Sequence, residues 1–181
     1  VDKTGTLTEG KPKLVTVFPV PSFQEEELLT LSASLEKASE HPLADSIVKG
    51  AKERGVVIAD PKEFNSVTGK GVRGIVNDRT VMIGSKRLLE ENGIDVGDID
   101  EAVRELRSKG QTVMLVAVDN MLAGLLGVAD PIKDSTKEAL SLLRGEQIEV
   151  VMLTGDSKTT AEAIGKPVSY THLRAHETNV D

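Results

Sequence analysis

D-K-T-G-T-L-T, at residues 2–8, is the segment from which the architecture of this chain is most directly predicted. Its aspartate, Asp2, stands where an apolar strand normally delivers a carboxylate to the edge of a sheet. The Lys-Thr-Gly-Thr that follows supplies hydroxyls and backbone N–H groups for phosphoryl oxygens, and Gly5 permits close approach. The segment predicts a carboxylate nucleophile directed at phosphorus. D-K-T-G taken alone is equally consistent with an ordinary turn.

A second segment, V-V-M-L-T-G-D at residues 150–156, predicts a buried strand that ends at Thr154 and a helix over residues 157–164. The N-terminus of such a helix binds anions, so Thr154 would face the same phosphoryl group as Asp2. A preceding helix over residues 135–143 completes the strand and helix order of a parallel sheet. An isolated T-G-D is more often a simple helix cap.

The residues between these two segments predict an α+β unit. Apolar residues at helical spacing and strand-like runs give the following elements: helices over 25–38, 42–55, 86–92 and 99–109, and strands over 64–67, 71–76, 80–83, 112–118 and 122–128. Two hairpins are expected, at Asn77-Asp78 and at Asp119-Asn120. The most economical organisation places residues 1–11 and 128–166 in one sheet, with 12–127 inserted as a second domain.

Composition narrows the classes of function that are possible. The chain has 181 residues, 39% hydrophobic and 28% charged, with a net charge of -7. An acidic chain argues against a nucleic-acid partner or an anionic membrane surface, because both need a basic face. The absence of cysteine excludes disulfides and thiolate metal sites. No apolar run reaches the roughly 18 residues of a membrane helix, and Val1-Asp2-Lys3 does not begin a signal peptide.

The last fifteen residues, 167–181, differ from the rest in composition. His172 and His176 are four positions apart, so a metal-binding tail is one interpretation. The alternative is a non-native extension, since P-V-S-Y-T-H-L-R-A-H-E-T resembles a vector-derived or adapter-derived tail. We expect the second, exclude this segment from function, and predict that it is dispensable and disordered.

Three segments together resemble the P-type ATPases. D-K-T-G-T-L-T at 2–8, D-P-I-K at 130–133 and M-L-T-G-D at 152–156 are similar to the phosphorylation, hinge and phosphate-binding motifs of that family, in the same order. S-E-H-P-L-A at 39–44 and G-K-G-V at 69–72 resemble the nucleotide site of its heavy-metal class. The sequences of these motifs are most similar to those of bacterial copper exporters. The match covers residues 1–165. It implies a truncated haloacid-dehalogenase-like, Rossmann-like phosphorylation domain with an inserted nucleotide-binding domain, an antiparallel sheet flanked by helices.

The resemblance also implies roles for individual residues. Asp2 would be the phosphorylated aspartate and, with the carbonyl of Thr4, a ligand of Mg²⁺. The other phosphoryl-site residues would be Lys3, Thr154, Gly155 and Asp156. The nucleotide ATP would be bound by Glu36 and His41 at adenine, with Gly69 and Gly71 permitting close approach. Asp130 and Lys133 would lie at the domain hinge. Ser85 stands where the family usually has asparagine, so no nucleotide role is expected there.

The resemblance implies a parent enzyme that couples ATP hydrolysis to transport of a heavy-metal cation, Cu(+) by the motif wording, at the cytoplasmic face of a membrane. The family's distal lysine and G-D-G-x-N-D segment do not follow residue 165, so we expect an incomplete Mg²⁺ site and no turnover by this chain. Transmembrane helices and an actuator domain would be partners in the parent chain. Two alternatives stay open: a stand-alone phosphatase and a non-catalytic ATP-binding module. Thr4, where phosphatases of the superfamily carry a second aspartate, argues against the first.

Overall fold

The computed structural model describes residues 3–148, 150–154 and 172–175. The chain divides into two compact units. The first comprises Val1–Pro12, Arg104–Thr112 and Ala129–Asp181, and the second comprises Lys13–Val103 and Val113–Val128. The expected inserted domain, 12–127, includes residues 104–112, which the structure groups with the first unit.

The second unit is built on a six-stranded sheet of order β1-β6-β5-β4-β3-β2. Its strands and helices are β1 Lys13–Pro19, α1 Glu25–Glu36, α2 Pro42–Glu53, β2 Lys62–Val67, β3 Gly71–Val76, β4 Arg79–Gly84, α3 Lys86–Glu91, the start of α4 Asp100–Ser108, β5 Thr112–Val118 and β6 Met121–Ala129. From Arg104 onward α4 belongs to the first unit. β2 to β5 pair antiparallel, with Gly71 opposite Gly84 in β3 and β4. The predicted antiparallel sheet flanked by helices is confirmed.

Both large helices follow from their sequence. α1 opens with three glutamates, which stabilise the positive end of the helix dipole, and buries Leu28, Leu31 and Leu35. α2 begins with Pro42 and buries Ile47. Proline is tolerated there because a backbone N–H in the first turn would have no acceptor within the helix. These side chains share one hydrophobic core with alternate residues of β3, β4, β5 and β6. Along β4 and β5 the intervening residues Met82, Leu115 and Ala117 are also buried, so these two strands are covered on both faces. Arg73 of β3 is exposed.

The two hairpins form where the sequence predicts them. Asn77 and Asp78 have φ of 50° and 60°, and Asp119 and Asn120 have φ of 50° and 62°. Positive φ at both central residues is the geometry of the two-residue turn whose twist matches that of paired strands. Asn and Asp adopt it at low cost, which explains the agreement.

Strand β1 was not predicted from the sequence. It lies at the edge of the sheet beside β6, and Leu14 is the one residue of the strand that is buried. Val15 and Phe18 remain 45% and 47% exposed. An edge strand with one buried residue lacks the clear alternation of apolar and polar positions that marks a strand in sequence.

In the first unit, residues 3–7 form a single π-helical turn, and α5 covers Asp134–Gly145. β7, Val151–Thr154, pairs in parallel with β8, His172–Ala175, so that Val151 lies opposite His172. The expectation of a disordered tail is therefore wrong for these four residues, because their backbone joins a strand ladder. That residues 167–181 are non-native stays a prediction. The helix predicted over 157–164 lies outside the described residues, as does His176.

No helix in the described ranges combines the length and apolar character needed to cross a membrane.

Candidate functional site

The expected phosphoryl site falls only partly within the described residues. Asp2, Gly155 and Asp156 lie outside them. The backbone of Lys3 and Thr4 belongs to the π-helical turn, and Thr154 ends β7. β7 contacts that turn within the first unit, so the structure brings together the two backbone segments that sequence reasoning assigned to one site.

Lys133 donates hydrogen bonds to two backbone carbonyls of the π-helical turn. Its ammonium donates to the Gly5 carbonyl oxygen at 2.6 Å, and its backbone N–H donates to the Leu7 carbonyl at 3.0 Å. A charged donor makes a stronger hydrogen bond than a neutral one. Lys133, expected at a hinge, thus fixes the orientation of the Gly5 peptide from one side.

Asp130 acts on the end of the same segment. Its carboxylate accepts from the Thr8 hydroxyl at 2.5 Å and from the Lys11 backbone N–H at 3.1 Å. Thr8 is fully buried, and its hydroxyl oxygen also accepts from the Gly5 N–H at 3.3 Å. Asp130 therefore sets the position of Thr8, which in turn holds Gly5.

A buried hydroxyl completes this attachment. Thr136, 5% exposed, donates from its Oγ1 to the Leu7 carbonyl at 2.7 Å. Sequence reasoning missed both Thr8 and Thr136 as positioning residues. Thr8 lies within the quoted motif, whereas no sequence signal marks Thr136, because its partner is 129 positions away.

Glu36 is the most unusual side chain of the second unit. It ends α1, is 6% exposed, and its Oε2 has no hydrogen-bond partner. Burial raises the pKa of its carboxyl above the ordinary 4.5, and a hydrogen bond from Ser39 acts in the opposite direction. An unpaired buried acceptor is costly, so this carboxyl is suited to receive a donor from a ligand.

His41 begins α2, a short loop after Glu36. Its Nδ1 accepts a hydrogen bond from the Leu43 N–H at 3.2 Å, which caps the helix. Because Nδ1 is an acceptor, the proton of the neutral ring lies on Nε2. The residue is exposed, so Nε2–H and the ring face remain available to a ligand. His41 can therefore cap α2 through Nδ1 and still offer Nε2–H and its ring face to a ligand.

The two expected nucleotide-site glycines serve different purposes. Gly69 has φ of +69°, and a Cβ there would meet nothing within 4 Å. Gly71 has φ of +150°, and a Cβ would lie 2.1 Å from the Ile83 carbonyl oxygen. Close pairing of β3 with β4 is sufficient to require glycine at position 71. Gly69 is required by its turn and leaves open space beside it.

Ser85 and Lys70, near the loop that contains Gly69, each interact with a nearby residue of the same unit. Ser85 caps α3, because its hydroxyl accepts from the Leu88 N–H at 3.3 Å. That Ser85 has no nucleotide role stays a prediction. Lys70 pairs with Glu91 at 2.5 Å. Its positive charge is therefore partly neutralised before any anionic ligand arrives.

Among the described residues, no group of three or more histidines or carboxylates is placed to hold a metal ion. The expected Mg²⁺ ligand Asp2 lies outside those residues. The assignment of Mg²⁺ ligands therefore depends on the sequence resemblance alone.

Comparison with known proteins covers nearly the whole chain. Residues 1–180 match the family model of the haloacid dehalogenase-like hydrolases. The chain is 46% identical over 175 residues to a copper-transporting P-type ATPase of Rhizobium leguminosarum bv. viciae, covering 97% of this chain and 21% of that protein. It is 51% identical over 164 residues to a copper-exporting P-type ATPase of Legionella pneumophila, covering 91% and 22%. A silver exporting P-type ATPase of Salmonella typhimurium is 41% identical, with 97% and 21% covered. The chain spans about a fifth of the length of these relatives.

Solved structures give the same picture. A zinc-transporting PIB-type ATPase in its E2.Pi state matches with a TM-score of 0.82 and 32% identity, over 96% of this chain and 28% of that chain. The N-domain of a copper-transporting P-type ATPase matches with a TM-score of 0.53 and 26% identity, over 65% of this chain and 98% of that chain.

Proposed function

Because the chain belongs to the haloacid dehalogenase-like hydrolase family, we propose that it is the ATP-binding and phosphoryl-accepting portion of a heavy-metal P-type ATPase. Its resemblance to P-type ATPases, expected from the motifs, is confirmed by relatives 41–51% identical to it. The activity, cargo and partners of the parent protein are part of the proposal, since the chain covers about a fifth of those relatives.

The unpaired carboxylate oxygen of Glu36 carries the proposal. A buried acceptor without a donor costs about 1 to 3 kcal/mol, and a charged one costs more. Such a cost is offset when a ligand brings a donor of matching shape. The exocyclic amine of adenine is a donor of this kind, so the residues present fit ATP.

His41 supplies the second contact in the proposed site. Its ring stands exposed at the start of α2 with Nδ1 already engaged, which restrains the ring. A restrained ring loses little conformational entropy when a base stacks on it. Gly69, in its open turn, would let the ligand approach the backbone.

In the phosphoryl-transfer step, a carboxylate oxygen of Asp2 would attack the γ-phosphorus of ATP. The new oxygen–phosphorus bond forms as the bond to the β–γ bridging oxygen breaks, and ADP leaves with that electron pair. Backbone N–H groups of the Lys3–Leu7 turn, with the Lys3 and Thr154 side chains, would hold phosphoryl oxygens. Lys133, Asp130 and Thr136 would keep that turn in one geometry, since catalysis here depends on positioning.

Mg²⁺, when bound through Asp2 and the carbonyl of Thr4, would neutralise phosphate charge. Cu(+) is the proposed cargo, since the relatives at 46% and 51% identity are named copper ATPases. The relative named a silver exporter supports the same kind of cargo, because Ag(+) is chemically similar to Cu(+). The chain would work at the cytoplasmic face of a membrane, with transmembrane and actuator domains of the parent chain as its partners.

A stand-alone phosphatase is the alternative that shares the family. Thr4 occupies the position from which such enzymes activate water with a carboxylate, so an aspartyl phosphate here would be long-lived. That lifetime suits a transport cycle. A non-catalytic ATP-binding module is disfavoured by Asp2 and Thr154.

Calorimetric titration of ATP into the 181-residue chain tests the nucleotide site. We expect Glu36→Ala and His41→Ala to weaken binding about five- to a hundredfold, the equivalent of one or two lost hydrogen bonds. Glu101→Ala, on the exposed start of α4, is the matched control and should bind like the wild type. Equal affinity in all four proteins would contradict the assignment. The cargo is tested in the complete parent protein by comparing stimulation of ATP hydrolysis by Cu(+), Ag(+) and Zn²⁺.

A further inference from the structure

A cluster of three charged side chains lies beside the turn that contains Gly69. Nζ of Lys70 donates to Oε2 of Glu91 at 2.5 Å, and Nε of Arg87 donates to Oε1 of the same carboxylate at 2.8 Å. Glu91, the last residue of α3, therefore binds two cations with its two oxygens, and these hydrogen bonds lower the pKa of its carboxyl. The side chains of Lys70 and Glu91 are 32% and 41% exposed, so a ligand can reach the cluster.

The backbone of Lys70 is held in place by neighbouring elements. Its N–H donates to the Val67 carbonyl at 2.9 Å, and its carbonyl accepts from the Ser85 N–H at 2.9 Å. A Cβ at Gly84 would lie 2.2 Å from the Lys70 carbonyl oxygen, so the turn is in close contact with the end of β4. Because α3 begins directly after β4, the fold itself brings Lys70 close to Glu91.

The separation between this cluster and the proposed adenine contact suits a nucleotide. Leu35, which precedes Glu36 on α1, packs against β3 at Gly74, where a Cβ would lie 2.9 Å from Leu35 Cδ1. Gly74 is three residues along β3 from Gly71, which corresponds to about 10 Å at the rise of a strand. ATP can span such a distance between its base and its phosphates. A nucleotide with its base at Glu36 can therefore bring its phosphates to Lys70.

Glu91 opposes a polyanionic ligand in two ways. An ammonium group has three N–H donors, and Glu91 engages one of those of Lys70 before a phosphate arrives. The carboxylate also repels phosphate oxygens, and each additional phosphate charge increases that repulsion. An exposed ion pair is weak enough to be exchanged for a phosphate contact. The affinity for a nucleotide is then lower than Lys70 without its partner would give, by a factor that grows with the number of phosphates.

We propose that Glu91 is a specificity-determining residue of the nucleotide site, which limits the affinity for nucleoside polyphosphates through its ion pair with Lys70 and leaves recognition of the base unchanged. Such a residue favours release of ADP once the phosphoryl group has been transferred. The inference rests on the proposed function, because it requires a nucleotide bound at Glu36 and His41. Glu91 lies on α3, outside the 39–44 and 69–72 segments that resemble a nucleotide site.

Titration of the 181-residue chain with adenosine, AMP, ADP and ATP, followed by amide NMR shifts at low and at physiological ionic strength, tests the proposal. Glu91→Gln removes the charge of the carboxylate and keeps its shape. Asp119→Asn is the matched control. Asp119 is 44% exposed and pairs with Arg79 at 2.8 Å, at the opposite end of β4 from Gly84. Lys70→Gln, alone and combined with Glu91→Gln, completes a double-mutant cycle.

We expect Glu91→Gln to bind ATP about three- to tenfold more tightly than the wild type at low ionic strength, ADP with a smaller gain, and adenosine with no gain. The gain for ATP should shrink at physiological ionic strength, because salt screens exposed charges. Asp119→Asn should bind all four ligands like the wild type. Lys70→Gln should weaken ATP binding, and in that background Glu91→Gln should give a smaller gain, since part of the effect acts through Lys70.

The outcomes separate this inference from the proposed function. If the wild type binds ATP but Glu91→Gln does not bind it more tightly, or gains equally for adenosine and ATP, the role of Glu91 is refuted and the proposed function stands. An equal gain in Asp119→Asn would attribute the effect to net charge, and an undiminished gain in the Lys70→Gln background would exclude the ion pair, so that each refutes the inference. If the wild type does not bind ATP, the proposed function fails and the inference fails with it.

Discussion

The Thr8 hydroxyl donates to the carboxylate of Asp130, 122 positions further along the chain, at a distance of 2.5 Å. Thr8 is fully buried and Asp130 is half-buried, so this bond is partly shielded from water. It joins the end of the expected nucleophile loop to a segment that the sequence marks only by D-P-I-K. The geometry of that loop therefore depends on a residue far away in the sequence.

We expect Asp130→Ala to destabilise the first unit by about 1 to 3 kcal/mol, because the buried Thr8 hydroxyl and the Lys11 N–H both lose their acceptor. Urea unfolding measures the loss, and hydrogen exchange at Lys11 shows whether it is local. Asp60→Ala is the control, since Asp60 pairs with Lys37 at a surface where its side chain is 85% exposed. That change should cost about 0 to 1 kcal/mol. Equal losses would mean that Asp130 is an ordinary surface charge.

Thr136→Val should also destabilise this unit, by about 0.5 to 1.5 kcal/mol, the net contribution of one hydrogen bond. Valine has nearly the same shape as threonine but leaves the Leu7 carbonyl with the Lys133 N–H as its remaining described donor. Thr136→Ser keeps the hydroxyl and should cost less than the valine variant. Thermal unfolding of the two variants makes the comparison, and a more stable valine variant would show that the bond to Leu7 is not required.

The glycines at 69 and 71 should respond differently to alanine. Gly71→Ala places a Cβ 2.1 Å from the Ile83 carbonyl, so β3 and β4 must separate, and we expect the second unit to unfold or lose several kcal/mol. Gly69→Ala has open space and pays only the cost of positive φ, about 1 kcal/mol. Circular dichroism and thermal melts check both. A stable Gly71→Ala that binds no ATP would instead indicate a direct role of Gly71 toward the ligand.

Glu36→Gln should raise the stability of the ligand-free chain at pH 7 while weakening ATP binding. Burial raises the pKa of Glu36 above its unfolded value of 4.5. Below the unfolded pKa both states are protonated and the penalty is absent. As the pH rises through the folded pKa, the folded state must hold a buried carboxylate and loses stability. The gain in melting temperature from glutamine should therefore be present at pH 7 and vanish as the pH falls below 4.5. A constant gain at every pH would exclude ionisation as its cause.

The 181-residue chain should bind ATP without sustained turnover. Its sequence contains no G-D-G-x-N-D segment, from which the family draws further Mg²⁺ ligands. Fewer cationic groups then stabilise the charge that develops in the transition state. A phosphate-release assay with Mg²⁺ checks this expectation. Steady release that disappears in Asp2→Asn would show that the chain is a complete catalyst.

Local chemistry made much of this protein predictable from its residues. The hairpins at Asn77-Asp78 and Asp119-Asn120 depend on residues that accept positive φ, and α2 depends on a cap and a proline at its start. These signals act over a few positions, so they can be read without knowing the fold. The motifs at 2–8, 130–133 and 152–156 likewise indicated the family before any contact was known.

Other features depend on which segments meet in space. Strand β1 is stabilised by pairing with β6 at the far end of its unit, and Thr136 acquires its role from Leu7, 129 positions away. Glu36 looks like any glutamate at the end of a helix until the folded structure removes it from water. Gly71 is explained by the approach of β4. In each case the feature depends on the free energy of desolvation or of contact between segments that are distant in sequence. Neither can be predicted from the local pattern of residues.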